Sequence, residues 1–159
     1  MYREDKMKIN TERFGEIEVI EEDILTFSKG ILGFESYKRF ALINTEGGEN
    51  SFYFLQSLEE EALCFLMLNT FSLFPDYQIE LDETTIEQLE IQNPQDVIIL
   101  TVITVVKSLQ DATTNLQAPI IINVARKLGK QIVNDKGNYL IKQPLFSKGH
   151  ITEAEGQRG

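Results

Sequence analysis

Residues 97–106, VIILTVITVV, constrain the fold more than any other part of the chain. Every residue except Leu100 is β-branched, and apolar side chains fall on both faces of an extended backbone. That pattern predicts a central strand, covered on both sides. The run is about half the roughly 20 residues of a membrane helix, and Thr101 and Thr104 break it, so no transmembrane segment is expected.

The same strand period recurs elsewhere. Residues 16–20 alternate polar and apolar side chains, as a half-buried strand does. Residues 24–27, 40–43, 52–55 and 63–68 follow as short aliphatic and aromatic runs, with turn glycines at 30, 33, 47 and 48. Residues 120–124 and 131–133 are expected as the arms of a hairpin turning through 126–130. Helical signals are brief: one turn at 35–39, a capping-box pattern at Thr84-Thr85-Ile86-Glu87, and Asn93 as N-cap before Pro94. At 159 residues the chain suits one domain with one hydrophobic core. The expected fold is all-β, a single-domain antiparallel β-barrel-like or sandwich fold with a few short helical turns. It should occupy residues 8–146, with 1–7 and 147–159 as flexible termini.

Charge narrows the function. The net charge of −10 opposes direct binding to nucleic acid and to anionic membranes. Its distribution is uneven, because residues 40–106 hold twelve Asp and Glu and no Lys, Arg or His. Either this stretch is a solvated face balanced in space by bases from the ends, or it forms an acidic surface that docks a basic partner. The polar amino terminus has no signal-peptide character, which points to the cytoplasm.

A search for chemistry returns little. With one cysteine, Cys64, and one histidine, His150, no internal disulfide and no Cys/His zinc cluster can form. Cys64 sits in LCFLM and reads as a core residue, so no Cys–His nucleophile pair is evident. Gly129-Lys130 lacks the first glycine and the final Ser or Thr of a phosphate loop, and Gly30-Ile31-Leu32-Gly33 lacks the third glycine of a dinucleotide site. No calcium-loop pattern surrounds Asp82 and Glu83. No catalytic residue, cofactor or metal is expected.

Several fragments then resemble the FliW family of flagellar assembly factors: FGEIEV at 14–19, DILTF at 23–27, GILGFE at 30–35, YKRFAL at 37–42, FLQSL at 54–58, FPDY at 74–77 and ATTNLQAPI through Asn123 at 112–123. One departure is Ser28, where the family pattern has proline. The resemblance implies a non-enzymatic β-barrel-like protein, monomeric when free. It also implies binding to flagellin and to the RNA-binding translational regulator CsrA. Flagellin and CsrA compete for it; CsrA is antagonised without its RNA site being occupied, so flagellin is translated when it is being exported. A small acidic β-barrel enzyme with converging carboxylates, and a generic secretion chaperone, are the alternatives.

Partner-facing residues are expected among the carboxylates of the base-free stretch: Glu59, Glu60, Asp76, Asp82, Glu83 and Glu87. Tyr77 joins them as an amphipathic anchor after Pro75, unless it packs at the barrel edge. Phe71, Leu73 and Phe74 are either an exposed apolar patch or core.

Overall fold

The computed structural model describes residues 6–44 and 51–146. The glycines at 47 and 48, His150, residues 1–5 and the segment 147–159 lie outside the described residues. The described residues form eleven strands: β1 Lys6–Thr11, β2 Gly15–Ile20, β3 Leu25–Thr26, β4 Arg39–Asn44, β5 Phe52–Ser57, β6 Cys64–Asn69, β7 Val97–Thr104, β8 Thr113–Thr114, β9 Ile120–Asn123, β10 Leu128–Gln131 and β11 Gln143–Pro144. Two short helices, α1 Thr70–Leu73 and α2 Glu83–Gln88, lie between β6 and β7.

Strands pair in the order β7-β6-β5-β4-β3-β10-β9, and β9 pairs back with β7, so the sheet closes into a seven-stranded barrel. A barrel, not a sandwich, is therefore the architecture. One junction departs from the antiparallel expectation: β3 and β10 meet in parallel at Thr26 and Leu128. β8 and β11 extend the far end of β7, where Ile103 pairs with Thr114.

β7 is the central strand its sequence predicts, and its two faces feed different cores. Leu100 belongs with Leu25, Phe27, Phe40, Leu55, Met67, Ile120 and Ile122, which fill the barrel interior, and Ile98 and Val102 pack against them. Ile99 and Ile103 point the other way, into a second cluster with Leu68, Phe74, Leu89 and Leu116 beneath the connection from β6 to β7. A third cluster, Val19, Ile24 and Ala41, sits under the β1–β2 hairpin. The single expected core is thus three, because a strand apolar on both faces needs cover on both.

Other expectations shift by a few residues. Lys6 and Met7, expected in a loose terminus, open β1: Met7 pairs with Val19 and packs on the third cluster. The turn expected at 126–130 instead spans 124–127, with Leu128 already paired to Asn123. Asn123 Oδ1 accepts the backbone N–H groups of Ala125 and Arg126, and Lys127 takes φ +61°, which closes the turn early. Residues 35–39 are not helical: Phe34 N–H donates to Ile31, and Arg39 has already entered β4. The substituted position Ser28 leaves its turn intact, since Gly30 N–H still donates to the Phe27 carbonyl at 2.8 Å.

Asn123 also ties the barrel to the helical connection, its Nδ2 donating to the carbonyls of Leu89 at 2.8 Å and Glu90 at 3.2 Å. It is 1% exposed, so Asn123→Ala strands several buried polar groups. The expected loss is about 1–3 kcal/mol, read as a lower urea midpoint with unchanged slope; a loss below about 0.5 kcal/mol would contradict this role.

Candidate functional site

The predicted carboxylates divide between two ends of the molecule. Glu59 and Glu60 occupy the β5–β6 turn, which enters β6 at Cys64. Glu59 Oε1 accepts the Lys38 N–H at 2.7 Å, and Glu60 Oε2 accepts the Ala62 N–H at 3.3 Å, so both shape local backbone. Asp82, Glu83 and Glu87 belong to α2 or its cap, which follows β6 and packs near the Val97–Asn123 pair beyond the other end of that strand. Asp76 is exposed between them in sequence. They do not form one continuous face.

Bases from the chain ends balance part of this charge. Lys136 lies 2.8 Å from Glu80, and Arg126 lies 3.4 Å from Glu90. The helix is capped by Asp82, two residues before the expected cap at Thr84, because Asp82 Oδ1 accepts the Thr85 N–H at 2.8 Å. That hydrogen bond holds the Asp82 carboxyl below its usual range, and Lys136 does the same for Glu80. Glu80 and Asp82 share an open cleft with Lys130 and Lys136. A general acid needs a carboxyl shifted upward, so the enzyme alternative gains nothing from these two.

Tyr77 is not a surface anchor. It is 4% exposed, its hydroxyl donates to the Leu116 carbonyl at 2.6 Å and accepts from Asn134 Nδ2 at 2.9 Å, and its ring packs 4.7 Å from that of Tyr139. FPDY is a chain reversal in which Tyr77 N–H donates back to Phe74, turning the phenol inward. Phe74 is likewise core, whereas Phe71 is 40% exposed.

One feature escaped the sequence reading. Phe71, Leu81, Ile86, Ile91, Val97 and Ile99 line a groove of about 350 Å³ between α1, α2 and the start of β7. It is built by the way α2 stops: Ile91 N–H donates to the Ile86 carbonyl and Glu90 N–H to Glu87, the double bond of a left-handed helix cap. Such a cap characteristically brings two apolar residues, here Ile86 and Ile91, to the same place. Glu90, at φ +54°, occupies the position that glycine normally fills. Without that glycine the sequence carries no local signal for the stop.

A family model described as FliW protein matches residues 8–145. The chain belongs to the FliW family. A relative named flagellar assembly factor FliW from Geobacillus thermodenitrificans is 46% identical over 140 residues, covering 88% of this chain and 96% of the relative. A FliW of Clostridium novyi is 44% identical over 143 residues, covering 90% and 99%. A solved structure titled crystal structure of the flagellar assembly factor FliW superposes with a TM-score of 0.82 at 44% identity, covering 89% of this chain and 99% of that one.

The FliW-like motifs are accounted for by backbone pinning. In FLQSL, fully buried Gln56 donates through Nε2 to the carbonyls of Ser57, Glu61 and Leu63, setting the β5–β6 turn. In ATTNLQAPI, Thr114 Oγ1 lies 2.7 Å from that of Thr101, and Asn115 Oδ1 accepts the N–H groups of Gln117 and Ala118. These motif residues hold the scaffold; the exposed carboxylates and the groove are what it presents. Among the described residues no helix is long and apolar enough to cross a membrane.

Proposed function

We propose that this protein works in the cytoplasm as a non-enzymatic flagellar assembly factor that binds flagellin and a CsrA-type RNA-binding regulator. Its binding to the regulator relieves repression of flagellin translation. The observation that carries this reading is family membership over nearly the whole described chain. Charge supplies the physical rationale. A regulator that grips RNA presents basic groups to phosphate. An acidic protein docked beside that surface weakens the attraction without covering a base contact.

The two separated carboxylate groups make this testable by parts. Purified protein, flagellin and CsrA are combined pairwise and together, and displacement of a flagellin leader RNA from CsrA is measured at low and moderate salt. Glu83→Gln/Glu87→Gln is expected to weaken displacement several-fold at low salt and less at moderate salt, because exposed charges are screened beyond about 10 Å at 0.1 M. Glu59→Gln/Glu60→Gln, at the other end, tests whether the second group contributes. Unchanged displacement by the combined variant, with its fold intact, overturns the electrostatic account; binding to neither partner overturns the function.

A further inference from the structure

Resting on that reading, we infer that the groove between α1, α2 and β7 is where the basic, RNA-binding partner seats apolar side chains, with lysine or arginine beside them contacting the carboxylates at the rim. The occupant follows from composition. Every residue of the groove falls between 71 and 99, wholly inside the stretch 40–106 that has no Lys, Arg or His. Phe71 and Ile86, 40% and 38% exposed, stand open to solvent at its mouth, while Ile99 at 9% forms the floor. A floor of core residues with two half-open aromatic and aliphatic lips suits an inserted apolar side chain.

The rim is acidic by construction. On α2 the residue three before Ile86, Glu83, shares its face, and Glu90 follows the helix immediately before Ile91. Both are exposed. Glu90 is the more telling, because it holds a carboxylate at a left-handed backbone position where glycine would be less strained. Its carboxylate pairs with Arg126 and is about half exposed, which leaves it open to a second cation. Two bases reach this part of the molecule: Lys130 donates to Thr85 and Gln88 on α2, and Arg126 meets Glu90 through a solvent-exposed pair, which a partner's guanidinium or ammonium can replace. The charged residues of α2 itself, Glu83 and Glu87, are both acidic, so the helix favours a basic segment over an acidic one.

The test uses the full chain with isoleucine and valine methyl groups labelled, titrated with purified CsrA and separately with purified flagellin. With CsrA, the methyl signals of Ile86, Ile91, Val97 and Ile99 should shift first. Ile86→Ser should raise the dissociation constant at least tenfold. Glu90→Gly should weaken binding several-fold, most at low salt, while raising the unfolding temperature by roughly 2–4 °C as the strained position relaxes. That opposed pair of effects separates a binding role from a folding one. CsrA binding with the groove methyls unmoved overturns the inference and leaves the proposed function standing. Occupation of the groove by flagellin instead overturns the assigned occupant, and failure of both proteins to bind the wild-type chain overturns inference and function together.

Discussion

Gly129→Ala is expected to lower stability by about 1–3 kcal/mol, although it adds a single methyl group. Gly129 lies in β10, paired with Ile122 and next to the parallel junction with β3. A Cβ built there falls 2.4 Å from Cζ of Phe27 and 2.6 Å from its Cε2. Phe27 has no exposed surface and packs edge-on against Phe40 at 5.3 Å, so its ring has nowhere to retreat. Backbone entropy works the other way, since removing a glycine stabilises by roughly 0.4–1 kcal/mol through the unfolded chain. Overpacking outweighs it here, because interiors at crystal-like density transmit strain and do not absorb it. A urea titration of the variant reads the loss. The double variant Phe27→Leu/Gly129→Ala should lose less than the sum of the singles, since the smaller side chain vacates the space the methyl enters. Additive losses, or an unaffected single variant, would show that the ring can move.

How much of this was legible beforehand depends on the range of the cause. β2, β4, β5, β6 and β7 follow from local period and from β-branched, aliphatic or aromatic runs, and each sits within two residues of where the residues place it. β1 did not: KMKINT alternates polar and apolar residues, but it has only two apolar side chains, Met7 and Ile9, and its pairing comes from the hairpin register with β2. The hairpin turn after β9 was displaced because Asn123 turns the chain with its side chain, whereas the basic run 126–130 looked like the loop. Charge segregation was visible, but its division between the β5–β6 turn and α2 was not, since only the path of β6 separates them. The groove was least visible of all: its residues are seven ordinary apolar positions spread over 71–99, gathered by a helix stop that uses glutamate where glycine is the usual signal.

Tyr77→Ala should cost on the order of 3–5 kcal/mol, the range for removing a large buried aromatic, and should reduce the folded population before any partner is tested. The sharper variant is Tyr77→Phe, which keeps the ring against Tyr139 and Phe71 and removes only the hydroxyl. Asn134 Nδ2 retains the Gln78 carbonyl at 2.8 Å, but the buried carbonyl of Leu116 loses the donor it had at 2.6 Å. A stranded acceptor of this kind costs about 1–3 kcal/mol. The same hydroxyl gives a signature in pH. Burial pushes it up to about 12, with Asn134 opposing slightly and Tyr139 reinforcing. An unfolded tyrosine titrates near 10. Between those values the unfolded chain has released the proton while the native protein keeps it, so stability falls as pH rises. The contribution is whole below pH 10 and is lost on the way to 12, at up to about 1.4 kcal/mol per pH unit. Wild-type protein should therefore lose stability across that window faster than Tyr77→Phe, and the two urea midpoints should converge as pH climbs. Parallel pH profiles would mean that the phenol reaches water after all, and would return Tyr77 to the surface that its position after Pro75 first suggested.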